Sequence, residues 1–229
     1  DYALHIDEPL VQASVPLDLM AGATLGTKCG YQHIHSPRGS TLTTGGLQTE
    51  WGEESKGHHI SVAGGEPTQL ITAESVTNSL DRLMPMMILR REASTTTFAA
   101  CLTKILPSTC SIGKDGTIRA EGGSAASLFL SPTPDRPARY GEGTVTARMV
   151  ATYTAGDAGE MACREFRELR GRDTITSDRP CDFTIRWAFT KQTLVMGSRP
   201  AKITYKPREG KTVAINAKPG QAYALAEAP

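Results

Sequence analysis

The sequence has no surplus of either charge. Its 25 Lys and Arg stand against 24 Asp and Glu, a formal net charge of +1 over 229 residues. A protein that attracts a polyanion through its overall field needs a clear excess of cations. Neither nucleic acid nor a membrane is therefore an expected partner, and an acidic ligand would have to be met by local cations. Long apolar runs are missing too: stretches such as Met84 to Leu89 fall far short of the roughly 20 residues of a membrane-crossing helix. The first residues, Asp1-Tyr2-Ala3-Leu4-His5-Ile6-Asp7, have the alternation of a strand, with no basic segment, apolar segment or cleavage site ahead of them. The expectation is a domain from a longer polypeptide or a processed product, whose compartment must be inferred from elsewhere. The five cysteines, Cys29, Cys101, Cys110, Cys163 and Cys181, include no C-x-x-C pair, which excludes a metal finger. An odd count leaves at least one unpaired within the chain, and a free cysteine commonly serves as a small buried hydrophobe. Cys101 and Cys110, flanking a turn at Pro107, are the pair to test for a disulfide. Ser/His/Asp triads, Gly-rich phosphate loops and nucleotide motifs are absent at recognisable spacing.

What the chain does contain is a succession of strand signals bounded by Gly, Pro, Ser and Asp. The candidates are Tyr2 to Ile6, His58 to Val62, Thr68 to Ala73, Met86 to Arg91, Thr95 to Leu102, Ser127 to Leu130, Thr144 to Tyr153, Phe183 to Phe189, Ala201 to Tyr205, Thr212 to Asn216 and Gln221 to Ala226. With little but turns between them, they predict an all-β fold, an antiparallel β-sandwich with at most one short helix. That helix would be Glu160 to Leu169, where Ala162, Phe166 and Leu169 recur at helical spacing and Glu160/Arg164 and Glu168/Arg172 lie four apart. The alternative is that the following Arg172-Asp173-Thr174-Ile175-Thr176 is the return arm of a hairpin. Pro107 and glycines 113, 116, 122 and 123 suggest a boundary, giving a first part over residues 1–106 and further strands over 107–229 that complete the sandwich or form a second small β domain. Ser131 to Glu142, with three prolines, is expected to be a surface connection.

Several segments, in order, resemble a known family. Leu25-Gly26-Thr27-Lys28-Cys29-Gly30-Tyr31-Gln32-His33-Ile34 is similar to a stretch of the bacterial alginate lyases of the heparinase II/III superfamily, where a Leu-Gly, a Gly-Tyr-Gln-His and an apolar residue fall in the same order. Asp1-Tyr2-Ala3-Leu4-His5 before it, Trp51 after it, then Met86-Met87-Ile88-Leu89-Arg90-Arg91 and Thr96-Thr97-Phe98-Ala99 also follow that order. The resemblance covers about residues 1–105; beyond them only the general style of the sandwich is similar. It implies β-elimination on a uronic acid polymer, in which one side chain neutralises the carboxylate, a base removes the C5 proton and an acid protonates the departing oxygen. It also implies that these groups sit mainly on an α/α-toroid preceding the sandwich, and that a structural metal is held by His and Asp upstream of Asp1. No catalytic residue, metal ligand or cofactor is therefore expected in this chain. The expected partners are an acidic polysaccharide and the upstream toroid, and the expected compartment is the periplasm or the exterior.

Within the chain, Tyr31, Gln32, His33 and His35, with Arg38 in a Ser-Pro-Arg-Gly turn, form the densest chemical cluster. A guanidinium fork and two imidazoles can meet a uronate carboxylate. The plainer reading places Tyr31 and His33 on a sandwich face and leaves His35 and Arg38 solvated, since no third metal ligand is evident. His58 and His59, adjacent on a strand, must face opposite ways, which favours structural use. The arginines from Arg164 to Arg172 are balanced by glutamates and read as a solvated face. Trp187 alternates with Phe183, Ile185 and Phe189 and is expected in the core, which leaves Trp51 as the sugar-stacking candidate despite its glutamate neighbours. The expected substrate-binding set is thus Tyr31, Gln32, His33, His35, Arg38 and Trp51. The reading is a non-catalytic or cleft-wall portion of a polysaccharide lyase. Its rival is a stand-alone carbohydrate-binding or structural β-sandwich, and a hydrolase is disfavoured because no Asp/Glu pair is marked by context.

Overall fold

The computed structural model describes residues 2–5, 10–13, 20–21, 34–52, 57–76, 82–104, 107–122, 126–188 and 191–227. Among them there are strands and no helix. The chain divides into two compact units, Asp1–Ile112 and Gly113–Pro229. The expected divide after residue 106 falls just ahead of the first unit's last strand.

The first unit holds β1 (Tyr2–His5), β2 (Leu10–Ala13), β3 (Met20–Ala21), β4 (Ile34–Thr43), β5 (Leu47–Trp51), β6 (His58–Val62), β7 (Thr68–Val76), β8 (Leu83–Arg90), β9 (Ala100–Lys104) and β10 (Ser108–Ile112). Two antiparallel sheets form, in the orders β1-β8-β7-β4-β3 and β2-β5-β6-β9. Alternation along β5 buries Leu47, Thr49 and Trp51, while Gln48 stays exposed. Leu47 and Trp51, with Ile60 and Val62 of β6, meet Leu70, Met87 and Leu89 of the other sheet in one apolar cluster, the filling of a sandwich. The opposite face of β7 and β8 is buried as well, through Ile71, Ala73, Met86 and Ile88. Burial on both faces explains why Met86 to Leu89 is continuously apolar rather than alternating.

The expected strand over Thr95 to Leu102 begins only at Ala100. Arg91 holds the preceding segment as a loop. Its side chain is 2% exposed; it donates to Thr68 Oγ1 (2.8 Å), to the Thr97 carbonyl (2.7 Å) and to the Ala63 carbonyl (3.1 Å), and lies 4.6 Å from the Phe98 ring centroid. A guanidinium so surrounded by acceptors satisfies backbone that would otherwise seek a ladder.

The second unit holds β11 (Ile118–Gly122), β12 (Ala126–Leu130), β13 (Ala138–Tyr140), β14 (Gly143–Thr146), β15 (Met149–Ala155), β16 (Ala158–Arg170), β17 (Thr174–Ala188), β18 (Lys191–Met196), β19 (Ala201–Lys206), β20 (Val213–Ala217) and β21 (Ala222–Glu227). Its sheet runs β11-β12-β15-β16-β17-β18-β21, while β14 pairs with the far end of β16 and β19 with the far end of β17. The helix expected at Glu160 to Leu169 is instead most of β16, a correction with a visible cause. Both edges of this segment are taken up in ladders with β15 and β17, and its charges find partners across strands: Glu160 with Arg186 (2.8 Å) and Arg164 with Asp182 (3.2 Å). Cross-strand neighbours replace the spacing-four pairs of a helix. The expected strand Thr144 to Tyr153 is interrupted at Ala147 and Arg148, because β14 and β15 pair with different ends of β16. The expected connection Ser131 to Glu142 contains β13.

Between Cys163 and Phe166 the β16–β17 register shifts, and Glu165 takes φ 46°, a left-handed conformation that a non-glycine residue holds only with support. Asp182 supplies it: Oδ1 accepts the Glu165 amide at 2.9 Å and Oδ2 accepts Arg164 at 3.2 Å. This bulge separates the two halves of the long hairpin, and one core draws on both, from Phe129, Val150 and Leu194 to Val145, Ile203 and Tyr205. Phe166 and Phe183 meet edge to face at 4.8 Å within it.

Candidate functional site

Only part of the expected substrate-binding set falls on described residues. Tyr31, Gln32 and His33 lie outside the described residues, as does Cys29. His35 is exposed on β4, opposite Glu74. Arg38 is on the same strand, opposite Thr72 and Ala21. The Ser-Pro-Arg-Gly turn is therefore a bulge within a strand: the register shifts between His35 and Arg38, and Ser36 has φ 48°. Pro37 is tolerated there because a bulged residue has no ladder bond to donate.

Trp51 is overturned as a sugar platform. It is 1% exposed and its indole N–H donates to Thr49 Oγ1 at 2.8 Å, in the interior of the first sandwich. Trp187, expected in the core, is only partly buried and packs at the margin of the second unit's core. It stands opposite Gly159 in the β16–β17 ladder, and a Cβ at Gly159 would come within 2.3 Å of the indole. The ring thus lies across bare backbone, which only glycine allows. His58 and His59 fall opposite Trp51 and Glu50 respectively, on alternate faces as expected.

One surface does gather groups suited to a ligand. In the second unit, the register aligns Tyr153 with Glu160, Glu160 with Arg186, and Arg186 with Thr193 across four strands. Directly opposed residues share a face. Two positions further along each strand, the same face carries Ala155, Ala158, Ala188 and Lys191. Three alanines in a row leave a hollow, and these residues, backed by Gly159 and Trp187, line an open groove of about 470 Å³. Tyr153 is 58% exposed, so one phenol stands at its rim. Arg186 Nε donates to Glu160 Oε2 at 2.8 Å, both side chains about half exposed, which fixes the guanidinium over the floor with its remaining N–H groups undirected by that bond. With Lys191, the lining has two cations and one carboxylate, a local excess of positive charge in a chain that is otherwise balanced.

A smaller cavity of about 220 Å³ in the first unit is lined by Gln48, Thr49, Glu50, His59, Ile60, Ser61 and Pro107. Its polar groups are largely engaged internally: Gln48 Nε2 and Ser61 Oγ both donate to the Ser108 carbonyl. Among the described residues, no three His, Cys, Asp or Glu side chains come together as a metal site.

The groove escaped sequence analysis because its members come from four strands whose mutual register no local pattern encodes. The available signal was compositional: Tyr153, Arg186 and Lys191 each lie two or three residues from an alanine near a strand end, where a core strand would carry larger residues. Compared with protein-family models, with curated proteins and with solved structures, the chain matches none.

Proposed function

We propose that this chain is the non-catalytic, cleft-wall β-sandwich portion of a polysaccharide lyase that acts by β-elimination on an acidic, uronate polysaccharide such as alginate. The groove of the second unit carries the reading. It is an open surface groove, accessible to an extended chain, and its phenol offers an apolar face to a pyranose ring. Its Arg186 and Lys191 offer charge-assisted hydrogen bonds to a carboxylate. The resemblance of residues 1–105 to heparinase II/III alginate lyases supports the lyase context, with catalysis on a toroid supplied from outside this chain and a periplasmic or secreted location. Here the side chains of the groove bind and align the chain of sugars; proton transfer belongs to the partner.

Native gels cast with alginate test this. The chain should be retarded by alginate and pass freely through a gel of neutral dextran, and added salt should weaken the retardation because exposed charges are screened. Tyr153→Ala should raise the dissociation constant about tenfold, the scale of one aromatic contact, and Arg186→Ala should remove most of the salt dependence. Free passage through alginate, or equal retardation by dextran, overturns the proposal.

A further inference from the structure

The strand β10 does not extend the sheet β2-β5-β6-β9; it lies against one of its faces. Ser61 of β6 defines which: its hydroxyl donates to the Ser108 carbonyl, Ser108 Oγ lies 3.2 Å from Ser61 Oγ, and Gln48 Nε2 reaches the same carbonyl at 3.3 Å. Ser61 is directly opposite Cys101 in the β6–β9 ladder, so the Cys101 side chain leaves the sheet on the face that β10 covers. Along β10, Cys110 points the same way as Ser108, two residues earlier. The two alternations converge, and the thiols of Cys101 and Cys110 lie within hydrogen-bonding reach of each other, with the Ala63 amide beside Cys110. Both residues are half-buried, and neither is bridged in this structure.

We infer that Cys101 and Cys110 are a disulfide-forming pair that fastens β10 to the face of the sheet in an oxidising compartment. The reaction is an exchange with a small-molecule or protein disulfide. One thiolate attacks the oxidant and releases one of its thiols; the second cysteine attacks the mixed disulfide and releases the other. The pair loses two protons and two electrons, and the oxidant is reduced to two thiols. Burial, then the neighbouring Cys101, pushes the Cys110 thiol up to about 11, so Cys110 is a poor first nucleophile at neutral pH. First attack therefore falls to Cys101, and Cys110 resolves the intermediate. The other described cysteines are placed differently. Cys163 is buried in the core of the second unit, and Cys181 directs its thiol to the Phe166 carbonyl and to Ser177 Oγ, the roles of small buried hydrophobes. The inference is independent of any polysaccharide binding.

The test uses the whole chain, incubated with oxidised glutathione, quenched with N-ethylmaleimide and digested with trypsin without reduction. Cleavage after Lys104 separates the two cysteines, so the bond should appear as peptide Glu92–Lys104 joined to Ile105–Lys114. The reduced sample should yield both peptides alkylated. The oxidised chain should also melt several degrees above the reduced one, because the cross-link restricts the unfolded chain. Cys101→Ser and Cys110→Ser should each abolish both the joined peptide and the reductant-dependent shift. Full alkylation of both cysteines after oxidation overturns the inference, as does a bond from either of them to Cys29.

Discussion

Trp51 shows how misleading a residue's neighbours in sequence can be. Glu50 and Gly52 make it look solvated, yet the strand sends it with Leu47 and Thr49 to the dry side of the first sandwich. Burial of an indole demands a partner for its N–H, and Thr49 Oγ1 provides it at 2.8 Å. Trp51→Ala should therefore cost about 3 to 5 kcal/mol, the range for a fully buried large aromatic. Trp187→Ala, at the margin of the second core, should cost about 1 to 2 kcal/mol. Urea unfolding followed by circular dichroism checks both; equal losses would contradict the burial seen here. The exposed phenol of Tyr153 is the converse case, a large aromatic that the second unit leaves in water.

Among the elements, β16 and β17 show most clearly how tertiary pairing overrides local pattern. Ala162, Phe166 and Leu169 recur at helical spacing, but a helix would bury one stripe and leave the backbone satisfied within itself. In the sheet, ladders on both sides satisfy the backbone instead, and the bulge after Cys163 resets the alternation so that Cys163 and Phe166 both reach the core. Asp182 is the fastening of that bulge. Asp182→Ala leaves the Glu165 amide without its acceptor and should cost about 1 to 3 kcal/mol, the worth of a hydrogen bond to a charged group. Asp182→Asn, which keeps the acceptor, should recover about half of that. Thermal unfolding of the two variants distinguishes them; if both behave like the parent, the bulge is held by strand packing alone. The same lesson applies to Arg91, whose capture of the Ala63 and Thr97 carbonyls turns a strand-like run of threonines into a loop.

At the scale of the whole molecule, the two units have separate cores, and the groove lined by Tyr153, Arg186 and Lys191 belongs to the second. A chain that supplies only a cleft wall should bind without turning substrate over. Incubated alone with alginate, heparin or hyaluronan, it should produce no rise in the ultraviolet absorbance of unsaturated uronate; a steady rise would place proton-transfer groups inside it. The sequence alone determined the all-β class, the antiparallel sandwich style and most strand positions, including β6, β12 and β19, because alternation and turn residues act over a few neighbours. It also determined that any attraction for an anion must be local, since the charges balance. The site was hardly legible. Which tryptophan is buried, where β16 bulges, and that Tyr153, Glu160, Arg186 and Thr193 stand in one row were decided only in the tertiary structure. Such facts depend on which strands lie side by side and in what register, and a one-residue slip would send every side chain to the other face.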